Sequence, residues 1–399
     1  MKTQKIYLNK SGFVVICKEI FRRKEVDLFR LIYLLTFETK QSSVREVFEM
    51  KRNLLKAFLV IAMLLLWTTT GLAKDKVIKW KVQGFVPAGM LYHDTLLRLA
   101  AAVKKATNGR LVWEVFPAGS LVPPFEGVKA VSDGVYQANY GYAGQWVGKI
   151  PVAPLFCSIP GGFNALDMQM WLNEGGGKEL YQEMYDTYGY KVKVFPSDPI
   201  SMENFMWSKK PLRTIEDFKG IKMRMMPLMG DVLAKHGMSV IFVPGGEIMP
   251  NLQRGVLDAA EYSIPAFDKT LGIWEICKYV MLPGIHQPCS QIELVVNQKA
   301  YDALPEDLKA PLAAAIGQMR LDNWLWTEKK NVEAVEFLKS KGVTTVVMDP
   351  ETVKTFTKWA HEYLDELASK DKFFAKVWES QKAFGARWYP YHATYNLPH

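Results

Sequence analysis

Few side chains in this 399-residue chain combine a reactive type with a placement that could bind or transform a ligand. Arg224 closes the short strand pattern at 221–225, between Met223, Met225 and Met226. A guanidinium offers paired donors in a planar fork that matches a carboxylate. A structural ion pair is the alternative role. Glu261 and Tyr262 end a run of small residues, Val256 to Tyr262, that follows a glycine stop at Gly255. Such strand ends in an open α/β sheet face the ligand crevice. The alternative for Glu261 is a buried carboxylate paired to Lys or Arg. Glu203 and Asn204 precede Trp207, and an exposed strand edge would explain that Glu equally well. Tyr142, Gln145 and Trp146 follow another strand pattern at 138–142 and combine apolar bodies with polar handles. Core packing is the alternative for Tyr142. Glu247 falls in the first turn of a helix, where a carboxylate complements the helix dipole.

Enzymatic signatures are missing. The run 173–179 lacks the first glycine of a phosphate loop and has Glu after its Lys. His361-Glu362 has no second His four residues on, and there is no Gly-x-Ser-x-Gly. His93, His236, His286 and His392 are scattered, and no Cys/His spacing suggests zinc.

The elements that must position these residues form two series. Strand patterns at 77–82, 111–116 and 138–142 alternate with helical patterns at 91–106 and 125–132, which predicts a parallel sheet wound by helices. Helix follows at 165–188, interrupted at 175–177, and then a strand at 191–195. The pattern restarts with strands at 204–208, 221–225, 239–243 and 256–262 and helices at 230–237 and 248–254. An apolar strand at 290–297 is expected to return to the first series. A long helix runs over 306–341, with a strand at 344–348 and two closing helices. The fold class is therefore α/β: two lobes crossed more than once by the chain, a ligand cleft between them, and a long helix linking them. The expected division is 74–200 with 290–335 for the first lobe and 201–289 with 336–399 for the second.

The amino-terminal 73 residues read differently. A basic Met50-Lys-Arg-Asn53 precedes an apolar core from 54 to 67 and small residues up to Ala73. That order is a secretory signal, with a core too short for an ordinary membrane span. Residues 50–73 are read as the signal, residues 1–49 as a non-native extension, and the exported chain is expected to begin near Lys74. The chain carries 50 Lys+Arg against 41 Asp+Glu, but residues 1–73 hold 13 and 6 of these. The remaining 326 residues carry a net charge of only +2 and give no case for nucleic-acid binding. Export permits a disulfide, with Cys277 and Cys289 the better pair. Three buried thiols, with Cys157 the third, is the preferred reading.

Three segments resemble the DctP-type extracytoplasmic solute receptors of TRAP transporters: Glu126 to Tyr140, Thr214-Ile-Glu-Asp-Phe-Lys-Gly-Ile-Lys-Met-Arg224, and Pro244-Gly-Gly-Glu247 through Asp258-Ala-Ala-Glu-Tyr262. Lys278 to Gly284 and Glu293 to Asn297 extend the third. The resemblance points to the branch binding 2-oxo acids, lactate and similar monocarboxylates. It implies a periplasmic receptor, not an enzyme. Arg224 would hold the acid's carboxylate, with Tyr142, Gln145, Trp146, Asn204 and Tyr262 as further contacts. Glu261, the backbone carbonyl of Tyr262, and Glu203 in place of a more usual Gln would hold Na⁺ or Ca²⁺, with no catalytic cofactor. Tyr262 itself replaces the usual Trp. The implied partners are a small organic acid and the permease subunits, with the receptor a monomer or a homodimer. The alternative is an exported metal-dependent lyase or hydrolase on the same lobes.

Overall fold

A computed structural model describes residues 48–49, 51–58 and 76–395. The chain divides into two units, residues 1–75 and 76–399. In the first, 48–49 and 51–58 are helical, and the rest of the expected signal, with the expected start at Lys74, lies outside the described residues.

The second unit contains two sheets. The strands, in chain order, are β1 (Ile78–Gly84), β2 (Leu111–Phe116), β3 (Ala138–Tyr142), β4 (Val192–Ile200), β5 (Met206–Ser208), β6 (Lys222–Arg224), β7 (Ser239–Ile241), β8 (Ala259–Ala260), β9 (Tyr279–Leu282), β10 (Ser290–Asn297) and β11 (Thr344–Val347). The first sheet runs β2-β1-β3-β10-β4 and the second β11-β9-β5-β8-β6-β7. As the sequence predicts, β10 crosses back to the first sheet. It lies antiparallel to both β3 and β4, so the sheet is mixed, and only β2, β1 and β3 form the parallel part.

Every residue of β10 is buried because both faces of the sheet are covered. Leu294 and Val296 join Trp80, Leu96, Leu99 and Ile316 on one face. Val295 joins Trp171, Tyr181 and Val192 on the other. In the middle of this apolar strand sits Glu293, fully buried. Its carboxylate accepts from Trp146 Nε1 at 2.7 Å, Tyr181 Oη at 2.6 Å and Tyr185 Oη at 2.7 Å. Those donors are why a carboxylate can be buried there.

The long helix Glu306–Ser340 is unbroken and packs on the helix Leu91–Ala106, on β4 and on the helix Pro265–Leu271. Its early residues Leu312 and Ile316 belong to the first-sheet core, and Leu338 packs with Trp207, Ile248 and Ile273 behind the second. The helix Pro350–Lys370 covers the second sheet through Phe356 and Ala360. The last helix, Lys372–Tyr395, placed with the second lobe from the sequence, packs Phe374, Val377 and Trp378 into the first-sheet core instead. Three large apolar residues in one turn and a half set that choice. Cys157, Cys277 and Cys289 are buried free thiols.

Candidate functional site

Strand directions in the second sheet explain why distant residues meet. β6 and β8 are parallel, with Arg224 opposite Ala260. Their carboxyl ends therefore bring Arg224 next to Glu261, whose amide donates to the Arg224 carbonyl at 3.1 Å. β5 is antiparallel to β8, so the segment entering it, Glu203 and Asn204, arrives at the same edge. β9 is antiparallel to β5, so the loop leaving it, residues 283–287, ends there too. Four segments thus deliver Glu203, Arg224, Glu261 and His286 to one sheet edge. The loop is tied in place: the Glu203 amide donates to the Gln287 carbonyl at 3.2 Å, and the Gly161 amide to the Ile285 carbonyl at 2.7 Å.

All four residues are buried. Arg224 pairs through Nη1 with the carboxylate Oε1 and, at 3.0 Å, with the backbone carbonyl of Glu261. Its Nε donates to the Val243 carbonyl at 3.2 Å. The rings of Phe242 and Tyr262 lie 5.1 and 5.8 Å from the guanidinium carbon and hold the plane. Nη2 remains, and among the described residues its hydrogen-bond partner is the Met226 sulfur at 3.6 Å. The paired fork expected for a ligand is partly spent on the protein, and Arg224 presents its Nη2 end.

His286 Nε2 stands 3.8 Å from Glu203 Oε2 and 3.7 Å from Glu261 Oε2. Those distances exceed a hydrogen bond. Both carboxylate Oε2 atoms and both His286 nitrogens are buried without a hydrogen-bond partner. One donor atom from each of the three residues falls within 4.8 Å of the others. Burial raises the Glu203 carboxyl above its ordinary range, against the pull of His286. Burial also acts upward on Glu261, but Arg224 and His286 outweigh it and hold that carboxyl low. Burial acts downward on His286, but the two carboxylates push its imidazolium up to about 9. Unsatisfied carboxylate oxygens aimed at one point fit a bound cation. Glu203 and Glu261, expected from the sequence as metal ligands, stand together in this cluster. His286, set aside as one of several scattered histidines, joins them.

Beside this cluster a cavity of about 500 Å³ opens between the two sheets. Tyr142, Gln145, Glu203, Arg224, Tyr262, Gln287 and Ser290 line it. The Gln287 amide donates to Tyr142 Oη at 2.6 Å, and the Tyr92 and Ser263 hydroxyls meet at 3.4 Å, so both sheets contribute. Gln145 Oε1 is buried without a partner. Phe85, Val86, Phe125, Phe242 and Phe267 add apolar surface to its wall, with Phe242 beside the Arg224 guanidinium. Phe125 and Phe242 are about half exposed and face in from different sheets.

Three residues expected at the site, Glu261, Trp146 and Asn204, are not on the cavity wall. Trp146 lies in the first-sheet core with its indole committed to Glu293. Asn204 donates to Asp268 Oδ2 at 2.7 Å, as does Trp207 Nε1 at 2.6 Å, and this buried network holds the segment behind Glu203. Gln287, Ser290 and Asp268 were not foreseen; only Gln287 and Ser290 touch the cavity. Glu247 sits exposed in the first turn of the helix Gly245–Gln253, consistent with its helix-dipole role.

A buried Arg and a cluster of unsatisfied carboxylate oxygens thus stand beside an interlobe cavity. Residues 83–371 match the bacterial extracellular solute-binding protein family 7 (DctP). A monocarboxylate 2-oxoacid-binding periplasmic protein of Nostoc sp. is 31% identical over 307 residues, 77% of this chain and 84% of that one. Two solved structures are similar over 80% of the chain. One is a TRAP periplasmic solute-binding protein of Colwellia psychrerythraea with bound calcium and pyruvate: TM-score 0.75, 28% identity, 80% of this chain and 98% of the other. The other, from Pseudoalteromonas atlantica, holds sodium and pyruvate: TM-score 0.74, 29% identity, 80% and 97% covered. The chain belongs to family 7 of the bacterial extracellular solute-binding proteins. It is a TRAP-type solute receptor of two lobes, not an enzyme.

Proposed function

We propose that this chain captures a small monocarboxylate, of the 2-oxo or 2-hydroxy acid type, in the periplasm and delivers it to the permease subunits of a TRAP transporter. The observation that carries this reading is that Arg224 and Glu203 line the interlobe cavity, with Glu261 paired to Arg224 off its wall and the Oε2 atoms of both carboxylates unpartnered. Arg224 would bind the acid's carboxylate, with Tyr142, Gln145, Tyr262, Gln287 and Ser290 shaping the pocket. Glu203 and Glu261, with the Tyr262 carbonyl, would hold a cation that screens those carboxylates from the acid. Capture would close the lobes, 74–200 with 290–335 against 201–289 with 336–371, the last helix moving with the first lobe. Delivery requires export through the 50–73 signal, and among the described residues no helix is long and apolar enough to cross a membrane. A monomer suffices for this role, and a homodimer is compatible with it.

The apolar wall grades the ligands. Each methylene added to the acid's tail and buried there should gain about 0.8 kcal/mol, roughly fourfold in affinity, until the cavity is full. Calorimetric titration with 2-oxo acids of increasing alkyl length, in buffers with and without Na⁺ or divalent ions, tests both points. Affinity should rise with length, and acid and ion should strengthen each other by the same factor. No binding of any acid in any buffer would overturn the proposal.

A further inference from the structure

Among the described residues, the histidine in the cation cluster belongs to no segment that suggested a ligand. We propose that His286 is a cation ligand, so that Glu203, Glu261 and His286 select a first-row divalent ion, from manganese to zinc, over Ca²⁺ or Na⁺. This rests on the cation reading of the same site.

Three observations carry it. The first is orphaned polarity. His286 is 2% exposed, and neither of its ring nitrogens has a hydrogen-bond partner. The same holds for the facing Oε2 atoms of Glu203 and Glu261. Four buried polar atoms without a hydrogen bond, three of them meeting only at loose ion-pair distance, are costly unless a bound group satisfies them.

The second is distance. A protonated imidazole bridging two carboxylates would draw them to charge-assisted hydrogen bonds of about 2.7–2.9 Å. Nε2 instead stands 3.7 and 3.8 Å from the two oxygens. Two donors held tetrahedrally at about 2.1 Å from one ion stand roughly 3.4 Å apart. The observed gaps need only a few tenths of an ångström of contraction to close on such an ion.

The third is the chemistry of the donors. Ca²⁺ and Na⁺ take oxygen ligands, whereas imidazole nitrogen suits the later first-row ions. Charge agrees. An ion ligated by His286 would displace the imidazole proton and face two negative carboxylates, which one divalent ion balances; Arg224 then balances the arriving acid. A monovalent ion would leave the closed pocket with a net negative charge, which burial penalises.

The test uses the exported chain stripped of metal, without any acid present. Zn²⁺, Mn²⁺, Ca²⁺ and Na⁺ are each titrated by calorimetry, with Co²⁺ as a visible-absorption probe of nitrogen ligation. One site per chain is expected, binding Zn²⁺ at least 100-fold more tightly than Ca²⁺. His286→Gln replaces nitrogen by a carbonyl oxygen of similar reach. It should cut the ratio of Zn²⁺ to Ca²⁺ affinity at least tenfold and shift the Co²⁺ spectrum. His286→Ala should cut Zn²⁺ binding likewise, and metal-free melting curves of both variants establish that they fold. The proposal is overturned if Ca²⁺ or Na⁺ binds the unaltered chain as tightly as Zn²⁺, if no ion binds, or if His286→Gln leaves the ratio unchanged. A separate titration with pyruvate in Ca²⁺ buffer decides the receptor reading. Acid binding there with no preference for Zn²⁺ would retain the receptor and remove only the histidine's role.

Discussion

Arg224→Lys is expected to lower affinity for the acid by one to two decades. Lysine keeps the charge but places a single ammonium where a planar guanidinium now makes four contacts. The lost charge-assisted bond to the ligand should cost about 1.5–3 kcal/mol in a closed, dry cleft. The structure adds a second consequence. Arg224 also ties β6 to the carbonyls of Glu261 and Val243, and a lysine cannot reach both. The unliganded variant should therefore melt a few degrees lower, yet remain folded, because the charge facing Glu261 persists. Removing that charge altogether would break a buried pair, at roughly 3–5 kcal/mol. Titration with a panel of 2-oxo and 2-hydroxy acids, beside a melting curve, checks this. Wild-type affinity in the lysine variant would make Arg224 a structural residue and move the site elsewhere.

Gly284→Ala is expected to damage the site from behind. Gly284 opens the loop that carries His286 and Gln287. A Cβ there would lie 1.8 Å from the Glu203 carbonyl oxygen and 2.8 Å from its carbon. Both are backbone atoms held by the Glu203 amide bond to Gln287, so neither can swing aside. The loop and the Glu203 segment must separate. Overpacking of this kind costs typically about 1–3 kcal/mol in stability. Ligand and ion affinity should each fall at least tenfold, since the displacement pulls Glu203 and His286 apart. Melting and binding measured on the same preparation test it. Unchanged ion affinity would mean that the loop does not position the cation ligands.

Much of this was legible in the chain. Period-2 and helical patterns placed most strands and helices, and the Thr214–Arg224 and Asp258–Tyr262 segments carried Arg224, Glu261 and Tyr262 to the right strand ends. Those residues were readable because local pattern fixes a strand's end, and a strand's end fixes the crevice. His286 and Gln287 were not. They sit in an irregular loop, and their place depends on β9 pairing antiparallel to β5, which no local signal states. The inward bonding of Trp146 and Asn204 was hidden for a related reason. Each follows or precedes a strand at the correct edge, but its donor turns inward to a buried carboxylate, Glu293 or Asp268, contributed by a remote segment. A lone Glu in the apolar strand 290–297 was the available hint that some nearby donor would be consumed. The final helix was misplaced because amphipathicity says that it packs, not on which lobe.

Native mass spectrometry of the exported chain tests the central claim most directly. The protein is measured as purified and after equilibration with pyruvate and each ion. The account predicts a ternary mass, one chain with one cation and one carboxylic acid, whose two guests are gained together and lost together on activation. An acid that binds unchanged after chelation, or a chain that takes up neither guest at millimolar supply, would contradict it.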